Sequence, residues 1–306
     1  VTELPEEPDP PADVVLDVPD LKQYSLPWKN KLYAFTNRTI HEFGCALTSA
    51  VMVLQYHGHV ITPGELNHWL KGQPDGYIRN GLINWLAVSR YTKLHDTLTS
   101  PTLEFKRLAP TIENLTNEIE NDRPVILKEP GHFVVAKGIL PETFAINDPA
   151  YASRNDLTPY GNSFLALNTY TPTHSDLSYM MFVVNKDFDL ELLNSSGVTV
   201  PTENFIEDPI NNLLNPDMKS GDSLRIVLFE KPESDNYKLK ITGPSGQYQL
   251  DSYIYDVNGK VNKNKYIGKL AGDESDTFNI SYDRNRRRSS FKFWFKEFWK
   301  YFNNRY

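Results

Sequence analysis

The single cysteine of this 306-residue chain, Cys45, stands where a glycine-led turn, Phe43-Gly44, runs into the apolar stretch Ala46-Leu47-Thr48-Ser49-Ala50-Val51-Met52-Val53-Leu54. The first amides of a helix lack internal partners and the dipole is positive there, so a thiolate at that point is stabilised. A lone thiol so placed is a candidate nucleophile, and a nucleophilic thiol needs a base. Taken alone, a buried cysteine is more often an inert small hydrophobe, so the partners decide.

Seven histidines compete for the role of base. His57 lies at the far end of the same helix, roughly 18 Å away at about 1.5 Å rise per residue, and His59 is just beyond it. His41 precedes the glycine turn, while His68, His95 and His174 have no acidic strand after them. His132 does: Gly131-His132-Phe133-Val134-Val135-Ala136 reads as one strand and Phe144-Ala145-Ile146-Asn147-Asp148-Pro149 as the next. In strand alternation His132, Val134 and Ala136 share a face, as do Phe144, Ile146 and Asp148. Paired antiparallel across the short Gly138–Pro141 connection, the start of the first strand meets the end of the second, so Asp148 falls beside His132. Its carboxylate then accepts from one ring nitrogen, fixes the tautomer and stabilises an imidazolium whose other nitrogen faces the thiolate.

The elements that must position these groups are legible in outline. Leu47, Val51 and Leu54 give a mostly buried helix from Cys45 to about Tyr56, stopped near Gly58. A second helix follows over 62–70, with Thr62 as N-cap, Pro63 in the first turn and Glu65 closing a capping box. Residues 81–89 read as a third helix, and Ile112, Leu115 and Ile119 mark a fourth over 111–121. Strands then begin: 124–128, 132–138, 143–148 and 179–184 are short, β-rich and separated by turn residues, as in an antiparallel sheet. Helices first and strands afterwards is the α+β pattern. Beyond the Asn, Ser, Gly and Thr-rich stretch 190–201, residues 223–230, 237–242, 247–256 and 277–282 alternate apolar and polar residues, as in a small β-sandwich. Asp256 and Asn258 are read as a turn rather than part of a calcium loop.

These boundaries give an acidic, proline-rich linker over 1–16, an α+β domain over 17–192, a β-sandwich-like domain over 193–283 and a basic aromatic tail over 284–306. In the tail, Phe291, Trp294, Phe295, Phe298, Trp299 and Phe302 have helical spacing with a basic opposite face, which suits contact with an anionic membrane or a wall polymer, and equally a terminal helix packed on its own domain or a partly disordered tail. The formal net charge of −7 argues against a nucleic-acid binder. One cysteine excludes an intrachain disulfide framework and a paired-cysteine zinc site, and no cofactor or metal is implied. No run approaches the roughly 18 to 20 apolar residues that cross a bilayer. A self-repelling linker opening on Val1 suits a domain whose signal or anchor lies upstream, which gives the expected extracytoplasmic location, and suits equally a chain cut within a linker.

The ordered set Gln23, Trp28, Tyr33, Thr39-Ile40, Gly44-Cys45-Ala46-Leu47-Thr48-Ser49, Gly131-His132-Phe133-Val134-Val135 and Asn147-Asp148-Pro149 resembles the bacteriocin-processing double-glycine peptidase-like branch of the papain-like cysteine peptidases, over about residues 17–190. Leu47 stands where many members carry proline. The resemblance implies a papain-like α+β fold, a bacterial source, a peptide or protein substrate, Cys45 as nucleophile, His132 as general base and then acid, and Asp148 as its orienting group. It also implies that the Gln23 side-chain amide and the Cys45 backbone N–H form the oxyanion hole. The expected reaction is peptide hydrolysis through a thioester. Two alternatives stand beside it: an amidase or transpeptidase acting on cell-wall peptide, and an inactive binding or adhesion protein.

Overall fold

A computed structural model of the chain describes residues 14–79, 81–174, 176–207, 223–272 and 274–284, with the backbone of 290–293. The structural statements below concern these residues. Most of the basic aromatic tail and the proline-rich opening lie outside them. Contacts divide the chain into two compact units, Val1–Thr173 and His174–Tyr306. The division falls ahead of the 192/193 boundary expected from composition, because 190–201 is a strand and turn inside the second unit.

In the first unit, β1 (Val14–Val15) leads through a long irregular segment to α1 (Ile40–Phe43), α2 (Cys45–Tyr56) and α3 (Pro63–Lys71). A two-strand ribbon, β2 (Tyr77–Ile78) and β3 (Leu82–Ile83), precedes α4 (Trp85–Leu94), β4 (Leu103–Leu108) and α5 (Ile112–Glu120). Strands β5 (Val125–Glu129), β6 (His132–Ile139), β7 (Phe144–Asn147) and β8 (Ala166–Pro172) complete it. The six-stranded sheet runs β1-β6-β5-β8-β4, with β7 also paired to β6. Its neighbouring pairs are antiparallel.

Helix α2 is the centre of this unit. Every residue from Cys45 to Leu54 is buried, and the helix packs on β6, β5 and α3. At about 1.5–3 kcal/mol for each fully buried large apolar side chain, Leu47, Val51, Met52 and Leu54 hold the nucleophile-bearing helix to the sheet far more firmly than helix propensity does. The expected capping box at Thr62 and Glu65 is formed. The third helix starts later than its apolar run: Leu82–Ile83 is strand, and Asn84 accepts from the Leu86 amide as N-cap.

In the second unit, β9 (Tyr179–Asn185) is followed by β10 (Asp189–Leu193), β11 (Glu203–Glu207), β12 (Leu224–Glu230), β13 (Asp235–Thr242), β14 (Gly246–Tyr255), β15 (Val261–Leu270), β16 (Asp276–Tyr282) and β17 (Ser290–Phe293). They form a five-stranded sheet, β11-β12-β9-β14-β15, and a four-stranded one, β10-β13-β16-β17. Phe182, Val227, Tyr248 and Leu250 of the first share an apolar cluster with Leu190, Leu239, Ile241 and Phe278 of the second. Strand β9 was expected in the sheet that carries His132. It instead pairs with β12 and β14, and its run of buried residues Tyr179 to Val184 suits the middle of a sheet.

Two further expectations are revised, and a third, the turn at Asp256, is met. Residues 14–15 of the supposed linker form β1 on β6. Residues 290–293 at the head of the supposed amphipathic tail helix pair with β16 as a strand, and the rest of that helix lies outside the described residues. The Asp256 carboxylate accepts from the amides of Asn258 and Lys260, so this hairpin oxygen is engaged in its own turn. No helix of the described residues is long and apolar enough to cross a membrane.

Candidate active site

Three local structures bring distant residues together. The first is the α1–Gly44–α2 corner. Thr39 and Glu42 cap α1 reciprocally, a capping box that holds the short helix in place. Gly44 ends α1 and opens α2. A Cβ there would meet the Ile40 carbonyl oxygen at 2.4 Å and its Cγ2 at 2.5 Å. Because the obstacle includes backbone, Gly44→Ala should lower stability by about 1–3 kcal/mol through overpacking, read as a lower urea midpoint. Cys45 follows as the first residue of α2, buried and free of any disulfide.

The second is the β5–β6 hairpin, whose turn is Pro130-Gly131. Gly131 sits at φ 68°, a conformation that glycine adopts without strain. The turn sets His132 at the first position of β6, opposite Glu129. The third is the exit from β7. Val135 pairs with Asn147 and Ala136 with Ile146, so Asp148 leaves the sheet on the face that carries His132.

His132 Nε2 lies 2.8 Å from Asp148 Oδ1. A carboxylate only accepts, so Nε2 carries a proton and Nδ1 is the ring nitrogen left for Cys45, whose interaction with the imidazole favours its charged form. The imidazole side chain is 12% exposed and the carboxylate 0%. Burial disfavours the imidazolium, but the hydrogen bonds to Asp148 and Cys45 outweigh it and lift the His132 pKa to about 9. Asp148 is likewise penalised by burial, yet its bond to His132 holds the carboxyl below its ordinary value.

The carboxylate is held from all sides. Oδ1 also accepts from the amides of Ala150 (2.8 Å) and Tyr151 (3.1 Å). Oδ2 accepts from the Tyr160 hydroxyl. Tyr160 in turn receives Arg154 Nη1 at 2.9 Å, and its ring lies nearly parallel to that of His132, with centroids 6.2 Å apart. Arg154 also lies over the Tyr151 ring, 3.8 Å from its centroid. Sequence reading missed Tyr160 and Arg154. Arg154 sits in a loop and Tyr160 ends a single 3-10 turn, Thr158–Tyr160, and neither is long enough to show a period that reveals which residues turn back toward Asp148.

Gln23 is brought to the same place by the strand-like entry segment. Leu16 N–H donates to Lys137 O at 2.7 Å, Asn147 Nδ2 to Val18 O at 2.9 Å, and Lys22 Nζ to Asp148 O at 2.7 Å. The Gln23 backbone N–H then donates to Pro149 O at 2.9 Å. Its side-chain Nε2 donates to His41 O at 2.5 Å, which leaves its second N–H without a partner among the described residues. Gln23 is thus pinned between the Asp148 loop and the helix that leads into Cys45. The other histidines do not join the group. His57 caps the far end of α2, where burial above all lowers its pKa to about 4, and His59 bonds to Pro101 O.

A thiol at the head of a buried helix, facing a strand-borne histidine backed by a carboxylate, defines the α+β class of papain-like peptidase folds. The chain belongs to the Peptidase_C39 like family, whose model matches residues 15–175. Among solved structures, a C39-like peptidase from Bacillus anthracis matches at 19% identity with a TM-score of 0.37, over 53% of this chain and 98% of that one. Among curated proteins none matches.

Proposed function

We propose that the chain is a cysteine peptidase that uses Cys45, His132 and Asp148 as its triad and Gln23 as an oxyanion donor. The observation that carries this reading is the His132 ring, which bonds through Nε2 to Asp148 and whose charged form is further favoured by its interaction with Cys45. The Cys45 thiolate attacks the scissile carbonyl while His132 holds the proton. The developing oxyanion takes hydrogen bonds from the Cys45 backbone N–H at the helix start and from the free N–H of Gln23 Nε2. His132 then protonates the leaving amine, which departs and leaves a thioester on Cys45. Water, deprotonated by the now neutral His132, attacks the thioester and releases the acid.

Tyr160 supports this arrangement from behind Asp148. Tyr160→Phe removes one donor to a charged acceptor, worth about 1.5 kcal/mol, so kcat should fall roughly tenfold. Little change in melting temperature is expected, since Asp148 keeps its bonds to Ala150 and Tyr151.

The same reading places the protein outside the cytoplasm. It treats the two facing sheets of the second unit as a β-sandwich module that holds the enzyme at a cell surface or wall polymer. Support comes from the shared apolar cluster between the sheets and the basic aromatic composition of 284–306. Incubation of the full chain with a mixed peptide library and with purified wall peptides tests substrate class by mass spectrometry. New amino termini in the library and none in wall fragments are expected. Cleavage of wall peptides alone would favour the amidase or transpeptidase reading, and cleavage of neither would favour an inactive binding domain.

A further inference from the structure

Glu129 is an oddity beside this site. It is 1% exposed, and its Oε1 is buried without a hydrogen-bond partner among the described residues. Buried carboxyl oxygens are rarely left so, and each exception calls for a reason. Glu129 is also the cross-strand partner of His132, across the Pro130-Gly131 turn. Directly opposed residues of an antiparallel pair share a face, so the carboxyl lies on the side of the hairpin that carries the imidazole.

Resting on the peptidase reading above, we infer that Glu129 is a positioning residue of the site: a second carboxylate that acts through His132 by holding positive charge on its ring. Asp148 does this by direct hydrogen bonding at Nε2. Glu129 does it through space, in surroundings where low solvent exposure leaves the field little screened.

The titratable groups that act on it are His132 on β6 and Asp148 beyond β7, and Cys45 at the head of α2 acts in turn on His132. Lys128 is its strand neighbour on the opposite face. Burial is the main cause that lifts the Glu129 carboxyl to about 7, with the His132 charge lowering it and the Asp148 charge raising it. The group is therefore neutral in acid and charged on the alkaline side, where His132 is about to lose its proton. Charge on Glu129 then delays that loss and extends the range in which the leaving amine can be protonated.

The ionisation also carries a stability signature. The folded-state pKa of Glu129 lies above its ordinary value of 4.5. Its contribution is thus fully present below about pH 4.5 and is lost as pH rises through about 7. Glu129→Gln should remove that part of the decline.

The test uses the full chain, with Glu129→Gln and the apolar, similarly sized Glu129→Met as independent ways to remove the charge. The His132 ring is titrated by NMR after histidine 13C labelling, and kcat/KM on a cleaved peptide is followed from pH 5 to 10. Either variant should lower the His132 midpoint by about half a unit to one unit. The kcat/KM of each should equal that of the wild type below about pH 6, where Glu129 is already neutral, and fall several-fold below it near pH 9. An unmoved His132 midpoint, or a loss of activity equal at every pH, would overturn the inference. The NMR titration needs no turnover, so a chain that cleaves no peptide yet shows the shift contradicts the peptidase reading alone.

Discussion

On the proposed mechanism, Cys45→Ala should abolish peptide hydrolysis, with kcat falling by about 10⁵-fold or more, while the protein stays folded. The magnitude follows from the role. Without the sulfur no thioester forms, and only binding and the oxyanion donors remain to act on a water attack. The fold is expected to tolerate the change because Cys45 makes no disulfide and the first turn of α2 is held by Gly44 on one side and by the buried run Ala46 to Leu54 on the other. Intact-mass spectrometry during turnover checks the same step. An acyl adduct on the single thiol is expected in the wild type and should be missing in the variant. Residual hydrolysis within tenfold of the wild type would remove Cys45 from the mechanism.

His132→Gln should be almost as severe, about 10⁴-fold or more in kcat, because in the proposed mechanism one ring serves as base and then acid. The wild-type pH profile gives the same residue a second test. His132 is held at about 9, so the protonated ring that donates to the leaving amine persists through neutral pH. It is lost as pH rises through about 9, so kcat/KM should fall on an alkaline limb there. Asp148→Asn should lower that limb, since an amide can donate where the carboxylate only accepted and no longer stabilises the imidazolium. A limb that stays at 9 in Asp148→Asn would contradict the role given to the carboxylate.

The parts of the site that were legible in the sequence are those set by local rules. Gly44 before an apolar run announces the head of α2. The Pro130-Gly131 turn and two β-rich segments announce the hairpin, and strand alternation then puts Asp148 next to His132. The parts that were not legible depend on tertiary contacts. Strand β4, Leu-Glu-Phe-Lys-Arg-Leu, carries three charges, and its pairing with β8 overrides the polar look of the segment. Strand β9 reads equally well for either sheet, and only its partners decide. The capping box Thr39 to Glu42 was a visible signal for α1 that the apolar pattern, too short to show a period, did not reinforce. Tyr160 reaches Asp148 from the end of a single 3-10 turn and Arg154 reaches Tyr160 from the loop before it, both too short to show a period. Glu129 lies just past the strand expected over 124–128, and its burial opposite His132 comes from the β5–β6 pairing.

The central claim is that His132 keeps Cys45 as a reactive thiolate. It is tested most directly by the rate of iodoacetamide alkylation of the single thiol near pH 6, compared between the wild type and His132→Ala. The account predicts rapid, stoichiometric labelling of Cys45 in the wild type and labelling slowed toward the rate of an ordinary thiol in the variant. Equal rates in the two proteins would contradict it.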